Sequence, residues 1–198
     1  MTQSTKIILL TIAGLCLLAC EFNGHAEKEL QPVSVAQFEN FVNSTGYLTD
    51  AERYGWSIVQ TNVFDFEVVE EANWRKPDGK NLPASKDLPV TQVSYNDALA
   101  YCDWAGTRLP TYDEYWTLIQ TDDRDVISDN RLPISAVKEV NVLGNVWELT
   151  DASRTTNVRL AGGSLFCSQN TCNGTVRERE LYVDKETGNI HIGFAVLD

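Results

Sequence analysis

Ser94-Tyr95-Asn96-Asp97-Ala98-Leu99-Ala100-Tyr101-Cys102-Asp103-Trp104-Ala105-Gly106-Thr107-Arg108-Leu109-Pro110-Thr111 reads as one helix, its stop, and the start of another. Ser94 and Asp97 have the spacing of a capping box, in which each side chain satisfies the other's backbone N–H. Ala98, Leu99, Tyr101, Cys102 and Ala105 fall on one side at helical spacing, and Gly106 supplies the stop. Cys102 lies on that apolar side and reads as a small buried hydrophobe. Arg108-Leu109-Pro110 leads into a further helix capped by Thr111 and Glu114. Its stripe of Tyr112, Tyr115, Trp116 and Ile119 is core rather than a cofactor box.

Towards the N-terminus the same grammar recurs. Ser34 and Gln37 cap a helix with Val35, Phe38, Phe41 and Val42 on one side and Gly46 at its end. Thr49 and Glu52 cap a short turn before Tyr54-Gly55-Trp56. Residues 58–69 lean to strand, with Phe64, Phe66 and Val68 alternating against Asp65 and Glu67, so the acids form a solvated strand face. Trp74 to Gly79 is a turn cluster and 81–89 a loop, while Val90–Val93 has the composition of a short strand. Towards the C-terminus, 121–130 is charged loop, and Val158–Leu160 and Ile192–Val196 read as strands. Short helices and strands mixed with much loop make the class α+β.

Composition narrows the setting. Residues 1–6 carry one Lys, residues 7–18 are apolar apart from Thr11 and Gly14, and Leu17-Leu18-Ala19-Cys20 follows. So short an apolar run is a signal-peptide core, too short to span a bilayer. Its ending has the order of a bacterial lipobox. The expected organisation is therefore a lipoprotein signal peptide at 1–19, a tether at 20–32 beginning with lipidated Cys20, and one domain at 33–198, in the cell envelope. The net charge is -12, and removing a leader with Lys6 and no acid makes the chain more acidic still. Such a surface argues against nucleic acid as a partner and against electrostatic docking on anionic lipid, leaving the lipid anchor as the membrane contact.

Of five cysteines, Cys16 leaves with the leader and Cys20 is lipidated, so Cys102, Cys167 and Cys172 remain. Cys167 and Cys172 lie five positions apart just after Gly162-Gly163-Ser164. The spacing admits a disulfide closing a small loop or a metal clip. His25 and His191 are the only histidines, too few for a three-His zinc centre.

Several strings together resemble one family. They are Phe38-x-x-Phe41-Val42 through Gly55-Trp56-Ser57, Trp74-Arg75-x-Pro77-x-Gly79, and Pro89-Val90 through Leu109-Pro110-Thr111. Gly144-Asn145-Val146-Trp147-Glu148, Gly162-Gly163-Ser164 and Ile192-Gly193-Phe194 complete the set. The chain is similar to the formylglycine-generating enzyme (sulfatase-modifying factor) family from about Val33 onward. The resemblance implies a C-type-lectin-like α+β domain poor in regular structure. It also implies a copper-dependent oxidase that uses O2 to convert a Cys of a sulfatase-type protein substrate into formylglycine. On that reading Cys167 and Cys172 hold Cu(I), a soft ion suited to thiolates, and Ser164 is the serine of the active-site turn. Asn141, Gly144, Val146 and Glu148 match a structural Ca2+ site, where backbone carbonyls and a carboxylate suit a hard cation. The alternative at that turn is a Glu148 held by an ion pair.

The chain departs from the family at several places. The usual opening strand motif is missing, the central insert is short (about 121–140), and the Arg usual after Gly-Phe is Ala195. Val196 replaces a Cys found there in some members, which leaves Cys102 unpaired. The basic stretch after Cys172 is cut to Asn173–Arg179. A second reading follows from these losses: a non-catalytic ligand-binding or scaffolding lipoprotein that retains the fold.

Overall fold

The computed structural model describes residues 29–61, 65–80, 84–119, 143–166 and 176–198. In chain order the elements are β1 (Gln31–Pro32), α1 (Val35–Thr45), α2 (Asp50–Tyr54), β2 (Trp56–Gln60), β3 (Phe66–Glu70), α3 (Tyr95–Ala105), α4 (Tyr112–Leu118), β4 (Trp147–Leu149), β5 (Val158–Ala161), β6 (Tyr182–Val183), β7 (Ile192–Gly193) and β8 (Ala195–Val196). The class is α+β.

All four described helices begin with the reciprocal capping box written in their sequences, at Ser34/Gln37, Thr49/Glu52, Ser94/Asp97 and Thr111/Glu114. Each box satisfies backbone donors that the first helical turn leaves without partners. Gly106 closes α3 in the left-handed conformation at φ 72°, where a side chain would be strained. The apolar faces then meet. Phe38 of α1 lies at the centre of an aromatic group with Phe41, Trp74, Tyr101 and Phe194, at centroid separations of 5.4 to 6.3 Å. Cys102 is buried and free in this larger core, and burial pushes its thiol up to about 11, so it packs as a hydrophobe.

The helix ends are tied by buried polar bonds. Asp97 Oδ1 accepts from Tyr47 Oη and the Asp50 amide, both at 3.0 Å, and Ser94 Oγ donates to Asp50 Oδ2 at 2.7 Å. The starts of α2 and α3 are thereby fixed to each other.

The described strands form three small sheets. β1 pairs antiparallel with β8, β2 with β3, and the largest sheet runs β6-β5-β4-β7 with β4 and β7 parallel. In β4, Trp147 and Leu149 enter the larger core. A second cluster of Leu30, Tyr115, Trp116, Ile119, Ala161, Ala195 and Leu197 covers the α4 side.

The structure differs from the sequence reading in five places. Leu30 is buried and Gln31–Pro32 pair with Ala195–Val196, so the ordered fold takes in residues read as tether. Within the stretch read as 58–69, β2 and β3 pair antiparallel and Phe64 lies outside the described residues; the alternation is not an inside-outside pattern, since Phe66 and Val68 are 70% and 64% exposed. The face of β3 that carries Phe66 and Val68 is exposed, while Val69 on the other face is half-buried against the Gly79 turn. Val90–Val93 is not a strand. Gln92 is left-handed at φ 59°, and its buried side chain bonds Ser57 Oγ, Ile58 O and Pro77 O. Leu99 and Ala105 lie on the outer side of α3 rather than its core side. Finally, Ile192–Val196 is two strands, because Phe194 turns into the aromatic core between them.

Candidate functional site

β5 runs into Gly162-Gly163-Ser164, and both glycines are left-handed, at φ 85° and 72°. Gly162 is needed for space as well as for angle: a Cβ there would strike the Tyr115 hydroxyl. The double turn sends Ser164 inward, where it is fully buried. Two backbone bonds hold the turn against the Gly144-Asn145 segment. Gly144 N donates to Gly162 O at 2.8 Å, and Leu165 N donates to Asn145 O at 3.1 Å.

Ser164 Oγ lies 2.7 Å from His191 Nδ1, and His191 Nε2 lies 2.5 Å from Gln60 Oε1. The Phe166 ring packs edge-on against the imidazole, with centroids 5.2 Å apart at 70°. Burial lowers the imidazole to about 4, so the ring is neutral at physiological pH. His191 and Gln60 are functional candidates that the sequence reading did not find. They lie 27 and 131 residues from their partners in the chain. The one available signal was the scarcity of histidine, with a single His inside the domain.

Glu148 sits on the next strand, 1% exposed, opposite Ala161 in the β4–β5 register. One carboxylate oxygen, Oε2, has no hydrogen-bond partner among the described residues, and no described ion pair includes Glu148. Burial pushes the carboxyl up to about 8, opposed by the Ala195 amide that bonds it. The ion-paired alternative for this glutamate therefore has no counterpart among the described residues. A buried, under-satisfied carboxylate beside a Gly-Asn turn fits a hard cation, which would supply the missing charge.

Of the sequence-selected residues, Ser164, Gly144, Val146 and Glu148 lie on one hydrogen-bonded scaffold. The bonds between Gly144 and Gly162, and between Trp147 N and His191 O at 2.9 Å, join the serine turn to the Glu148 strand. Cys167, Cys172, Asn141 and Cys20 lie outside the described residues. His191 has both ring nitrogens engaged, by Ser164 and Gln60, so its imidazole has no free nitrogen for a metal ion.

Fold and site together define an α+β domain of the formylglycine-generating-enzyme-like fold. A solved structure of PvdO from Pseudomonas aeruginosa shares that fold with a TM-score of 0.55 at 13% identity, over 84% of this chain and 77% of that one. The sulfatase-modifying factor enzyme 1-like domain matches residues 29–118, and over that stretch the chain is similar to that family. A formylglycine-generating enzyme of Bos taurus is 46% identical over an alignment of 101 residues that covers 42% of this chain and 27% of that protein. An inactive Cα-formylglycine-generating enzyme 2 of Bos taurus is 36% identical over an alignment of 105 residues that covers 44% of this chain and 35% of that protein. The chain thus spans about a quarter to a third of the length of these relatives.

Proposed function

We propose that this chain is an envelope lipoprotein, anchored through Cys20, that converts a Cys side chain of a sulfatase-type protein substrate into formylglycine. The observation that carries the reading is the placement of Ser164. It is fully buried at the end of a double-glycine turn, three residues before Cys167, on the scaffold that carries Glu148.

Copper bound by Cys167 and Cys172 would supply the one-electron chemistry that O2 requires. The balance is one thiol side chain, one O2, two electrons and two protons giving the aldehyde, hydrogen sulfide and water; a thiol reductant provides the electrons. The chain's own residues supply the frame. The glycines bring the backbone close beside the substrate, Phe166 and Leu165 exclude water, and Ser164 offers a fixed oxygen three residues before Cys167 in the sequence. Ca2+ held by Asn141, Gly144, Val146 and Glu148 would stiffen the strand to which the turn is bonded.

The test is O2 uptake by the purified protein with Cu(I), a thiol reductant and a Cys-x-Pro-x-Arg peptide. Peptide aldehyde by mass spectrometry is the expected product. No turnover, with Cu(I) not held by two thiolates, sinks the proposal.

A second reading, a non-catalytic ligand-binding or scaffolding lipoprotein, is favoured by the similarity to an inactive paralogue and by Ala195 at the usual Arg position. A thiol count on protein from the envelope separates the two. Cys167 and Cys172 fully bridged and silent to copper supports the second.

A further inference from the structure

The Ser164–His191–Gln60 chain invites comparison with a nucleophilic serine activated by histidine, and its chemistry excludes that role. An activating histidine must accept the serine proton and be stabilised as imidazolium, usually by a carboxylate on its other nitrogen. Here the other nitrogen meets the neutral amide of Gln60. Burial has also lowered the imidazole to about 4, where it is a poor base for a hydroxyl or a thiol. Against a thiol near its ordinary ~8.5, proton transfer to this ring is unfavourable by more than about four powers of ten.

What the chain does is fix direction. Gln60 Oε1 only accepts, so His191 Nε2 carries the ring proton. A neutral ring then has a lone pair on Nδ1, and the Ser164 hydroxyl must donate to it. The serine proton is thereby committed to the ring, and the oxygen's remaining lone pairs are left to accept. Phe166 against the ring face and the Trp147 bond to the His191 carbonyl hold the imidazole in place. Gln60 is half-buried at the last position of β2, opposite Phe66 in register.

We propose that Gln60 and His191 are positioning residues that present Ser164 Oγ as a fixed hydrogen-bond acceptor for the S–H or N–H donor of a bound peptide substrate. The identity of that substrate, a peptide thiol, rests on the function proposed above; the relay itself does not.

The chain has only two histidines, so ¹⁵N NMR of the full chain resolves them directly. At pH 7 His191 is expected as a single Nε2–H tautomer, and an Nδ1–H tautomer overturns the proposal. Gln60→Glu, at a half-buried position that should still fold, puts a carboxylate on Nε2. It is expected to raise the His191 titration midpoint by about two units or more; an unmoved midpoint overturns the contact. His191→Asn keeps a hydrogen-bonding group near the Nδ1 position, whereas His191→Leu does not. With a Cys-x-Pro-x-Arg peptide and Cu(I), His191→Leu is expected to lower kcat about tenfold with KM little changed, the worth of one lost hydrogen bond. His191→Asn is expected to recover most of that loss, and equal losses in both variants would reduce the ring to packing. Labelling of Ser164 by a fluorophosphonate, abolished in His191→Asn, would make the serine a nucleophile and overturn the proposal. If the wild type turns over no peptide, the function proposed above falls while the NMR measurements still decide the relay.

Discussion

Glu148→Gln tests the reading of the Glu148 site as a cation site without requiring any activity. The carboxyl is fully buried and raised from 4.5 to about 8. Folding therefore favours its protonated form. The stability this group contributes is present below about pH 4.5 and is lost as pH rises through 8. A shift of this size spans about 5 kcal/mol at most, and the part that falls between pH 5 and pH 8 is roughly 3 to 4 kcal/mol. Glutamine keeps the volume and removes the ionisation. In EDTA, urea denaturation at pH 5 and pH 8 should show the wild type losing roughly 3 to 4 kcal/mol relative to the variant. The difference between the two proteins cancels His191 and Asp97, which titrate in the same range. Adding Ca2+ at pH 8 should restore the wild type and leave Glu148→Gln unmoved, because a bound cation supplies the charge that the buried carboxylate lacks. Equal pH dependence of the two proteins in EDTA, or equal stabilisation by Ca2+, would refute the argument.

Four further outcomes are expected. Cys172→Ser should abolish O2 uptake with the peptide while leaving the melting temperature nearly unchanged; a large loss of thermal stability would instead identify a disulfide. Ser94→Ala should cost about 2 to 3 kcal/mol in urea denaturation, since it removes a helix cap and the 2.7 Å bond to the buried Asp50 carboxylate. Gly162→Ala should cost roughly 2 to 4 kcal/mol, because a left-handed residue gains a side chain that meets Tyr115. His191, lowered to about 4 by burial, should make the fold lose about 3 kcal/mol as pH falls from 6.5 through 4, and His191→Asn should remove that part of the acid dependence.

Local chemistry was legible in the sequence wherever it acts over three or four residues. The four capping boxes, the Gly46 and Gly106 stops, and the core stripe of α4 all follow from spacing, because a helix satisfies its first donors with its own neighbours. The Gly162-Gly163-Ser164 turn was legible for the same reason, as was the burial of Cys102. The motif strings placed the α+β fold, since together they fix residues along the whole domain.

Contacts between distant residues were not legible. Phe66 and Val68 alternate like a half-buried strand, yet both are exposed, and periodicity does not say which face has a partner. Val90–Val93 has strand composition, but the buried Gln92 bonds three other segments and bends the backbone out of a ladder. The sequence by itself determined the helices, the glycine turn that carries Ser164, and the acidic character of the chain. Only the tertiary structure set His191 and Gln60 in line behind that serine and left Glu148 buried without a described counter-charge. Those relations join residues 27 to 131 positions apart, and they exist only once the sheets have closed.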